Sequence, residues 1–247
     1  MTEITIVKPK AEILTPIHHI AEFQTLLEKA GRTCYQSEDR ITSDSAEKFI
    51  KGIIKNGHES VVEHCAITVK IICSRSTSLQ LVRHRIASYS QKSQRFVNHQ
   101  KKGYSVICPP SIGELPEGDY MKDSISGWWL IAKNNRTNIT TELCENFKAK
   151  KFVVCTWLDL IKHSYEAYCL LLENHVLPED ARSVLPNATE TEIVTTFNLR
   201  QWRHVFKERA LNPQAQWEIK NIMMGLLIEF NKLLPAVFGD LLEKSVE

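Results

Sequence analysis

Residues 83 to 95 concentrate the side chains of this sequence that could hold a phosphate-bearing ligand. The segment is RHRIASYSQKSQR, with three arginines, one lysine, one histidine and three serines. Guanidinium groups match phosphate oxygens in a two-pronged geometry, and hydroxyl groups add hydrogen bonds. A basic loop that merely faces water has the same composition. Composition alone therefore leaves two interpretations open, a solvated loop and an anion-binding loop.

The charge around this segment is unusually one-sided for a chain whose net charge is only +2. No acidic residue occurs between Glu63 and Glu114. The basic residues of that interval are Lys70, Arg75, Arg83, Arg85, Lys92, Arg95, Lys101 and Lys102. A local excess of this kind favours a compact anion as the partner.

Several common ways of building a site are missing from the sequence. The nine glycines form neither GxGxxG nor GxxxxGK[ST], so side chains would have to hold any dinucleotide. Ser93 has no acidic neighbour to orient a base, which favours a ligand over a nucleophile. The seven cysteines form no CxxC pair and no zinc-spaced block, which predicts reduced thiols and no metal site.

The segment resembles the signature of the flavin-dependent thymidylate synthases, in which RHR is followed by seven residues and a serine. Other blocks similar to that family's occur in its order: GHESVVEH (57–64), ARSVLP (181–186), FNLRQWRH (197–204) and AQWEI (215–219). The resemblance covers most of the chain and favours the anion-binding interpretation.

That resemblance implies a mixed α/β (α+β) fold, with a central, mostly antiparallel sheet flanked by long helices, in one domain spanning residues 1–247. It implies a methyltransferase that converts dUMP to dTMP, with FAD as cofactor and NADPH and methylenetetrahydrofolate as co-substrates. It also implies a homotetramer with active sites at subunit interfaces. No metal, nucleic acid or membrane is expected as a partner.

The resemblance assigns one group of residues to the flavin: His58, Ser60, Arg83, His84, Arg85, Gln91, Asn198, Arg200 and His204. Asn198, Arg200 and His204 lie one to two helical turns apart, so they can converge on one ligand. His58 follows a glycine at a helix end, where an imidazole could equally cap backbone carbonyls.

A second, overlapping group is assigned to dUMP: Gln80, Arg83, Gln91, Lys92, Ser93, Gln94, Arg95, Arg182 and Arg209. The resemblance links Arg209 to ionisation of the uracil ring. A protonated guanidinium is a poor base, but it can stabilise negative charge on N3 or a carbonyl oxygen. Arg209 is therefore expected to be the catalytic, electrostatic activator.

Two departures from the family pattern touch this expected site. Ser90-Gln91 stands where many members have Asn-Glu, so a carboxylate charge is lost while an acceptor oxygen is kept. The interval from Arg209 to Ala215 is one residue longer than usual, which leaves the placement of Arg209 open.

Periodicity and end signals predict the elements that must position these residues. Extended or strand segments are expected at 4–14, 66–73, 104–108 and 191–199. Helices are expected at 20–30 ending at Gly31, from Ser43 or Asp44 to Gly57, at 77–83, at 142–176, and on both sides of Asn212-Pro213. The RHR segment itself is predicted to be a helix end and a loop, and 111–127 a polar connection.

The sequence also predicts a soluble, intracellular and cytoplasmic protein, since MTEITIVKPK contains no signal-like apolar run. Cysteine-based thymidylate synthesis is disfavoured because Cys108 precedes two prolines instead of following one. A nucleic-acid-binding module, with bases stacked on Tyr89, Phe96 and Tyr104, is the rival from another class. A flavoprotein of the same fold that binds dUMP with lost or changed activity is the nearer rival.

Overall fold

The computed structural model describes residues 4–123, 127–132, 135–138 and 148–243. Its helices are α1 (Ile17–Thr33), α2 (Ser45–Lys55), α3 (Arg75–Leu81), α4 (His99–Lys102), α5 (Lys148–Glu173), α6 (Pro178–Ala181), α7 (Leu199–Phe206), α8 (Trp217–Leu233) and α9 (Pro235–Glu243). Its strands are β1 (Ile4–Ile6), β2 (Lys10–Ile13), β3 (Ala66–Ser74), β4 (Ser88–Gln91), β5 (Ser105–Val106), β6 (Gly118–Asp123), β7 (Gly127–Ala132), β8 (Asn135–Asn138) and β9 (Glu190–Asn198). Short 3-10 helices span Glu38–Arg40, Glu59–His64 and Arg182–Val184, and a π-helical turn spans Lys207–Leu211.

The mixed α/β class is confirmed, but the strands divide between two sheets instead of joining one central sheet. One sheet has the order β5-β1-β6-β7-β8 and the other the order β2-β3-β9-β4. The chain separates into two compact units. The first comprises Met1–Pro9, Ile72–Ser78 and Gln91–Glu192, and the second Lys10–Ile71, Leu79–Ser90 and Ile193–Glu247.

The first unit is built on the five-stranded sheet. Strands β1 and β5 pair in parallel, whereas the pairs β1–β6, β6–β7 and β7–β8 are antiparallel. Ile4 and Tyr120 face each other in the register of β1 and β6, and both side chains are buried. Helix α5 packs Leu158 and Tyr168 into the same apolar cluster. This burial explains why the long periodic segment folds as a helix.

The second unit is organised around Trp202 of α7. Its indole is fully buried, and its Nε1 donates to the Ile67 carbonyl oxygen at 3.0 Å. Phe206 of α7 and Phe230 of α8 contact its ring, and Phe238 of α9 packs edge-on against both phenylalanines. The aromatic cluster holds the helix that begins with the FNLRQWRH block.

The two long strands of the second sheet confirm the predicted strand segments. Along β3 and β9 alternate side chains are buried, the pattern of strands with one face toward a core. Strand β4, in contrast, lies within the RHR segment, where a loop was predicted. Tyr89 explains it, because its ring contacts Phe197 edge-on at 5.9 Å and thereby anchors SYSQ to the sheet.

The predicted end of the first helix at Gly31 is wrong, since α1 continues to Thr33. Gly31 is buried, and a Cβ there would lie 2.6 Å from Cε1 of Phe49 on α2. The glycine therefore serves the close packing of two helices and not a helix stop. Helix α2 does end as predicted, and Gly57 follows it with a φ of +74°.

The connection predicted at 111–127 is also wrong in part, because it contains β6. Tyr120 is fully buried and pairs across the sheet with Leu130 of β7. Helix α9 was not predicted either. Residues 142–147 of the predicted helix at 142–176 lie outside the described ranges. Helix α5 confirms the prediction from Lys148 to Glu173, but the predicted last three residues, 174–176, are not helical. Within the described ranges, no helix is both long and apolar enough to cross a membrane.

Candidate active site

The RHR residues lie in a tight turn of the second unit, between the end of α3 and the start of β4. The Tyr89 hydroxyl contacts the carbonyl oxygens of Leu81 and His84 at 2.7 Å each, and the His84 amide donates to the Leu81 carbonyl oxygen at 3.1 Å. This bonding buries His84 and leaves Arg83 and Arg85 exposed. Both arginines line a cavity of about 570 Å³ together with Val82.

A second cavity in the same unit collects three of the predicted flavin residues. Its volume is about 530 Å³, and its lining residues are Glu59, Glu63, Ile86, Asn198, Arg200, Gln201, His204 and Lys207. Asn198 precedes α7 and accepts a hydrogen bond from the Gln201 amide at 2.8 Å, which fixes the start of the helix. Arg200 and His204 project from the next turns and are exposed. All three residues therefore line one cavity of this unit.

The GHES block contributes more than its histidine and serine. His58 and Ser60 are exposed, and neither lines that cavity. Glu63 pairs with Arg200 at 2.5 Å, and Glu59 pairs with Arg203 at 3.1 Å. Sequence reasoning missed both carboxylates, although GHESVVEH contains them.

Arg203 is the buried centre of this ion-pair network. Its side chain is 2% exposed, and it donates to both carboxylate oxygens of Asp240 on α9, at 2.6 and 2.8 Å. Together with its bond to Glu59, this links the GHES block to α7 and α9. Charged groups at such burial are retained only when paired and hydrogen-bonded.

Arg209 lies in the π turn and meets the RHR segment. Its Nε donates to Nε2 of His84 at 3.1 Å, across 125 residues of sequence. Burial, and then the positive charge of Arg209 and the nearby His204, lower the pKa of His84 to about 4. The imidazole is therefore neutral near pH 7, with an unprotonated Nε2 that can accept this bond.

The first unit gathers most of the predicted nucleotide residues. Lys92 pairs with Glu190 at 2.7 Å, and Arg95 pairs with Glu179 at 2.6 Å. Arg182 donates from Nε to the Glu179 carbonyl oxygen at 3.0 Å, so Glu179 contacts both arginines. The acidic partners come from outside the basic stretch.

Gln91, Ser93 and Gln94 complete that group and are all partly buried. Gln91 donates from Nε2 to the hydroxyl oxygens of Ser78 and Thr191, at 2.9 and 3.2 Å. The Ser93 hydroxyl oxygen accepts a bond from the Arg95 amide at 3.3 Å, a local turn that orients the start of the loop.

Arg75 is a further basic residue of the first unit that sequence reasoning counted but did not assign. Burial and the charge of Arg182 both lower the pKa of Arg75. Two guanidiniums that repel each other would be stabilised by an anion between or beside them. Its place at the start of α3, directly after a predicted strand, was the available signal.

The predicted residues thus fall into two sets. The second unit contains His58, Ser60, Gln80, Arg83, His84, Arg85, Asn198, Arg200, His204 and Arg209, and the first contains Gln91, Lys92, Ser93, Gln94, Arg95 and Arg182. The RHR turn, Arg209 and the start of α7 come together in the second unit. The QKSQR residues and Arg182 come together in the first.

Comparison with a known solved structure gives the fold independently. The chain is similar to a UMP/dUMP methylase PolB from Streptomyces cacaoi, bound with 5-Br dUMP, with a TM-score of 0.71 and 20% identity. The match covers 95% of this chain and 95% of that one.

Sequence comparisons show the family as well as the fold. The family model described as "Thymidylate synthase complementing protein" matches residues 17–236. A flavin-dependent thymidylate synthase of Mycobacteroides abscessus is 35% identical over 223 residues, 87% of this chain and 78% of the relative. A flavin-dependent thymidylate synthase of Geobacter sulfurreducens is 31% identical over 231 residues, 91% of this chain and 84% of the relative. The chain therefore belongs to the thymidylate synthase complementing protein family, that of the flavin-dependent thymidylate synthases.

Proposed function

We propose that this chain is a flavin-dependent thymidylate synthase, a methyltransferase that converts dUMP to dTMP. Methylenetetrahydrofolate would supply the one-carbon unit, and NADPH would supply reducing equivalents through FAD. The observation that carries the proposal is the meeting of Arg209 with His84 of the RHR turn at 3.1 Å. It joins the proposed activating arginine to the proposed flavin segment.

The residues of the second unit fit a dinucleotide that carries a pyrophosphate. Arg83 and Arg85 are exposed beside a cavity, and within the described ranges neither has a carboxylate at ion-pair distance. Asn198, Arg200 and His204 line the neighbouring cavity, while His58 and Ser60 would add contacts from the GHES block. Bound FAD would supply hydride transfer between the nicotinamide and the one-carbon unit.

The residues of the first unit fit the anionic part of a nucleotide. Lys92, Arg95 and Arg182 offer positive charge, and Ser93 and Gln94 offer neutral hydrogen bonds. Glu190 and Glu179 pair with Lys92 and Arg95 and orient these two side chains. Gln80, Arg83 and Gln91 complete the proposed dUMP set, and Arg75 is added to it on account of its charge. Ser93 acts as a ligand and not as a nucleophile.

Arg209 would perform the electrostatic step on the pyrimidine. Its guanidinium stays protonated, so it stabilises negative charge on N3 or a carbonyl oxygen and makes C5 more nucleophilic. Because only Nε of Arg209 bonds to His84, the N–H groups on both of its Nη atoms remain available as hydrogen-bond donors to the nucleotide.

Two of the three aromatic residues on which the nucleic-acid-binding alternative depends are not available for stacking of bases. Tyr104 is 1% exposed and hydrogen-bonds to Thr189, and Tyr89 closes the RHR turn with its hydroxyl. Of the three aromatic residues, only Phe96 is widely exposed. Stacking on single-stranded nucleic acid uses several exposed rings along one groove.

The proposal includes one catalytic domain over residues 1–247, a cytoplasmic location and a homotetramer with active sites at subunit interfaces. Exposed apolar side chains support association: Ile17 and Leu26 on α1, and Phe152, Leu160 and Leu170 on α5. Light scattering should give the mass of four chains. A monomer at all concentrations would contradict both the assembly and the placement of the active sites at subunit interfaces.

The test of the function is dTMP formation from dUMP, methylenetetrahydrofolate, NADPH and FAD, with each component omitted in turn. The complete mixture should give product, and each omission should abolish turnover. Arg209→Ala should lower kcat about 100- to 1,000-fold, because a preorganised electrostatic donor is lost. Lys51→Ala, which removes an exposed charge from α2, is the control and should leave kcat unchanged. No product from the complete mixture would overturn the proposal and leave the same-fold flavoprotein as the alternative.

A further inference from the structure

The surroundings of His84 suit a hydrogen bond to Arg209 better than contact with a bound ligand. His84 is 8% exposed, while its neighbours Arg83 and Arg85 are exposed. Its Nε2 is occupied by the Nε–H of Arg209 at 3.1 Å. The ring of His204 packs edge-on at 5.7 Å between centroids. An imidazole that is buried and bonded at Nε2 keeps only Nδ1 for another partner.

The direction of this hydrogen bond fixes the chemistry of both partners. A guanidinium has five N–H donors and no acceptor, so His84 must accept. Its ring proton therefore lies on Nδ1, and the ring is neutral. With Nε bound, the orientation of the guanidinium plane is set, and the two Nη groups keep four N–H bonds for a substrate.

The backbone on both sides of the pair is also unusual. Arg209 lies in the middle of the π turn Lys207–Leu211, directly after α7. A π turn holds one residue more than an α turn and occurs frequently at functional sites. On the other side, Tyr89 locks the backbone of His84.

We propose that His84 is a positioning residue for Arg209: as a neutral, Nδ1-protonated imidazole, it holds Nε so that the Nη groups are presented to the pyrimidine of the nucleotide. The identity of the substrate in this inference rests on the proposed function, whereas the hydrogen bond between His84 and Arg209 does not. It gives the central residue of the RHR segment a role in nucleotide activation beyond flavin binding.

The charges around His84 keep it in the accepting form. Arg209 of the π turn and His204 of α7 oppose a second proton, and Glu208 of the π turn favours it more weakly. Burial adds the largest opposition, and the pKa of His84 falls to about 4. The acceptor therefore persists through the pH range in which enzymes of this kind would work.

The pairing can be tested without turnover by NMR of the full chain labelled with ¹⁵N-histidine. The His84 resonance is identified by its loss in His84→Gln. We expect the Nδ1-protonated tautomer from pH 5.5 to 8, and a changed Nε2 shift in Arg209→Ala. An Nε2-protonated ring, or an Nε2 shift unaffected by Arg209→Ala, would overturn the pairing.

The positioning role is tested by a double-mutant cycle on kcat and on the KM for dUMP. His84→Phe keeps the ring but removes the acceptor, and it should lower kcat about 10- to 100-fold. His84→Gln keeps an acceptor oxygen and should recover most of that loss. In the Arg209→Ala background, His84→Phe should change kcat less than about twofold, because residues that act as a unit are not additive.

Two outcomes contradict the positioning role. If the effects of His84→Phe and Arg209→Ala multiply, or if His84→Gln is as impaired as His84→Phe, His84 does not act through Arg209. Equal flavin content of all variants excludes simple loss of FAD. If the unsubstituted chain makes no dTMP, the proposed function fails instead, and the tautomer measurement still decides the pairing.

Discussion

At the scale of single residues, Gln91 shows how a departure from the family pattern fits its surroundings. Its Nε2 donates to the hydroxyl oxygens of Ser78 and Thr191. The Ser78 hydroxyl already donates to the Arg75 carbonyl oxygen at 2.9 Å, so it presents a lone pair to residue 91. An amide can donate to that lone pair, whereas a carboxylate cannot. Glutamine is thus the matching side chain in this chain.

Gln91→Glu should lower the free energy of unfolding by about 1 kcal/mol, because a buried hydroxyl loses its donor and faces an anion. Urea denaturation at pH 7.5 measures this. Gln94→Glu, at another partly buried glutamine nearby, is the control and should have a smaller effect. In the Ser78→Ala background the cost of Gln91→Glu should shrink, and an unchanged cost would contradict the proposed hydrogen-bond pattern.

At the scale of elements, contacts between segments far apart in sequence determine some strands and helix ends that hydrophobic periodicity does not predict. The patterns of β3 and β9 were predictable because alternate residues are apolar, and α2 because both of its ends carry signals. Strand β4 was not, since Tyr89 is its only large apolar side chain and its partner Phe197 is over a hundred residues away. Gly31 has the sequence signature of a helix stop, but its role depends on Phe49 of another helix.

Gly31→Ala should destabilise the protein, although alanine is the better helix former. The added methyl group would lie 2.6 Å from the Phe49 ring, and such overpacking costs about 1–3 kcal/mol, more than the gain in helix propensity. Gly52→Ala is the matched control, because no atom lies within 4 Å of its added Cβ. We expect it to stabilise by about 0.5–1 kcal/mol. If thermal unfolding showed that Gly31→Ala is more stable than Gly52→Ala, the result would contradict this packing.

The buried Arg203 should be the largest single contribution among the ion pairs described. Arg203→Met removes a guanidinium shared by Glu59 and Asp240 and should lower the free energy of unfolding by about 3–5 kcal/mol. Lys51→Met breaks the exposed Lys51–Glu47 pair and should cost less than about 1 kcal/mol. Chemical denaturation compares the two directly, and similar small losses would show that Arg203 is not a structural centre.

At the scale of the whole molecule, buried histidines make stability depend on pH. Burial, more than neighbouring charge, lowers the pKa of His84 to about 4 and that of His99 below its usual value of 6.5. The unfolded chain binds these protons more readily than the folded one. Their contribution is therefore fully present above pH 6.5 and is lost as the pH falls toward the folded-state pKa.

Acidification from pH 7.5 to pH 5 should cost about 2 kcal/mol of stability through His84 alone. Urea denaturation at the two pH values measures the loss, with His84→Gln as the matched variant that lacks this group. The variant should lose about 2 kcal/mol less than the unsubstituted chain over the same interval. Equal losses in both proteins would show that His84 is not held neutral by burial.

The sequence predicts which residues form the candidate site, but it does not predict the contacts that hold their side chains. The RHR segment, the QKSQR residues and Arg209 follow from family resemblance and charge. The bond between His84 and Arg209, the role of Glu59 and Glu63, and the repulsion between Arg75 and Arg182 do not. Each depends on contacts between segments far apart in sequence, which local patterns do not encode.

The most direct measurement is a single-turnover reaction without NADPH and without oxygen. The flavoprotein is reduced chemically and mixed with dUMP and methylenetetrahydrofolate, and both dTMP and the flavin absorbance are followed. One equivalent of dTMP per reduced flavin, formed as the flavin is reoxidised, is the predicted result. The same reaction with Arg209→Ala should be about 100-fold slower or more. Flavin that stays reduced with no dTMP formed, or dTMP formed equally well without flavin, would contradict flavin-dependent thymidylate synthesis by this chain.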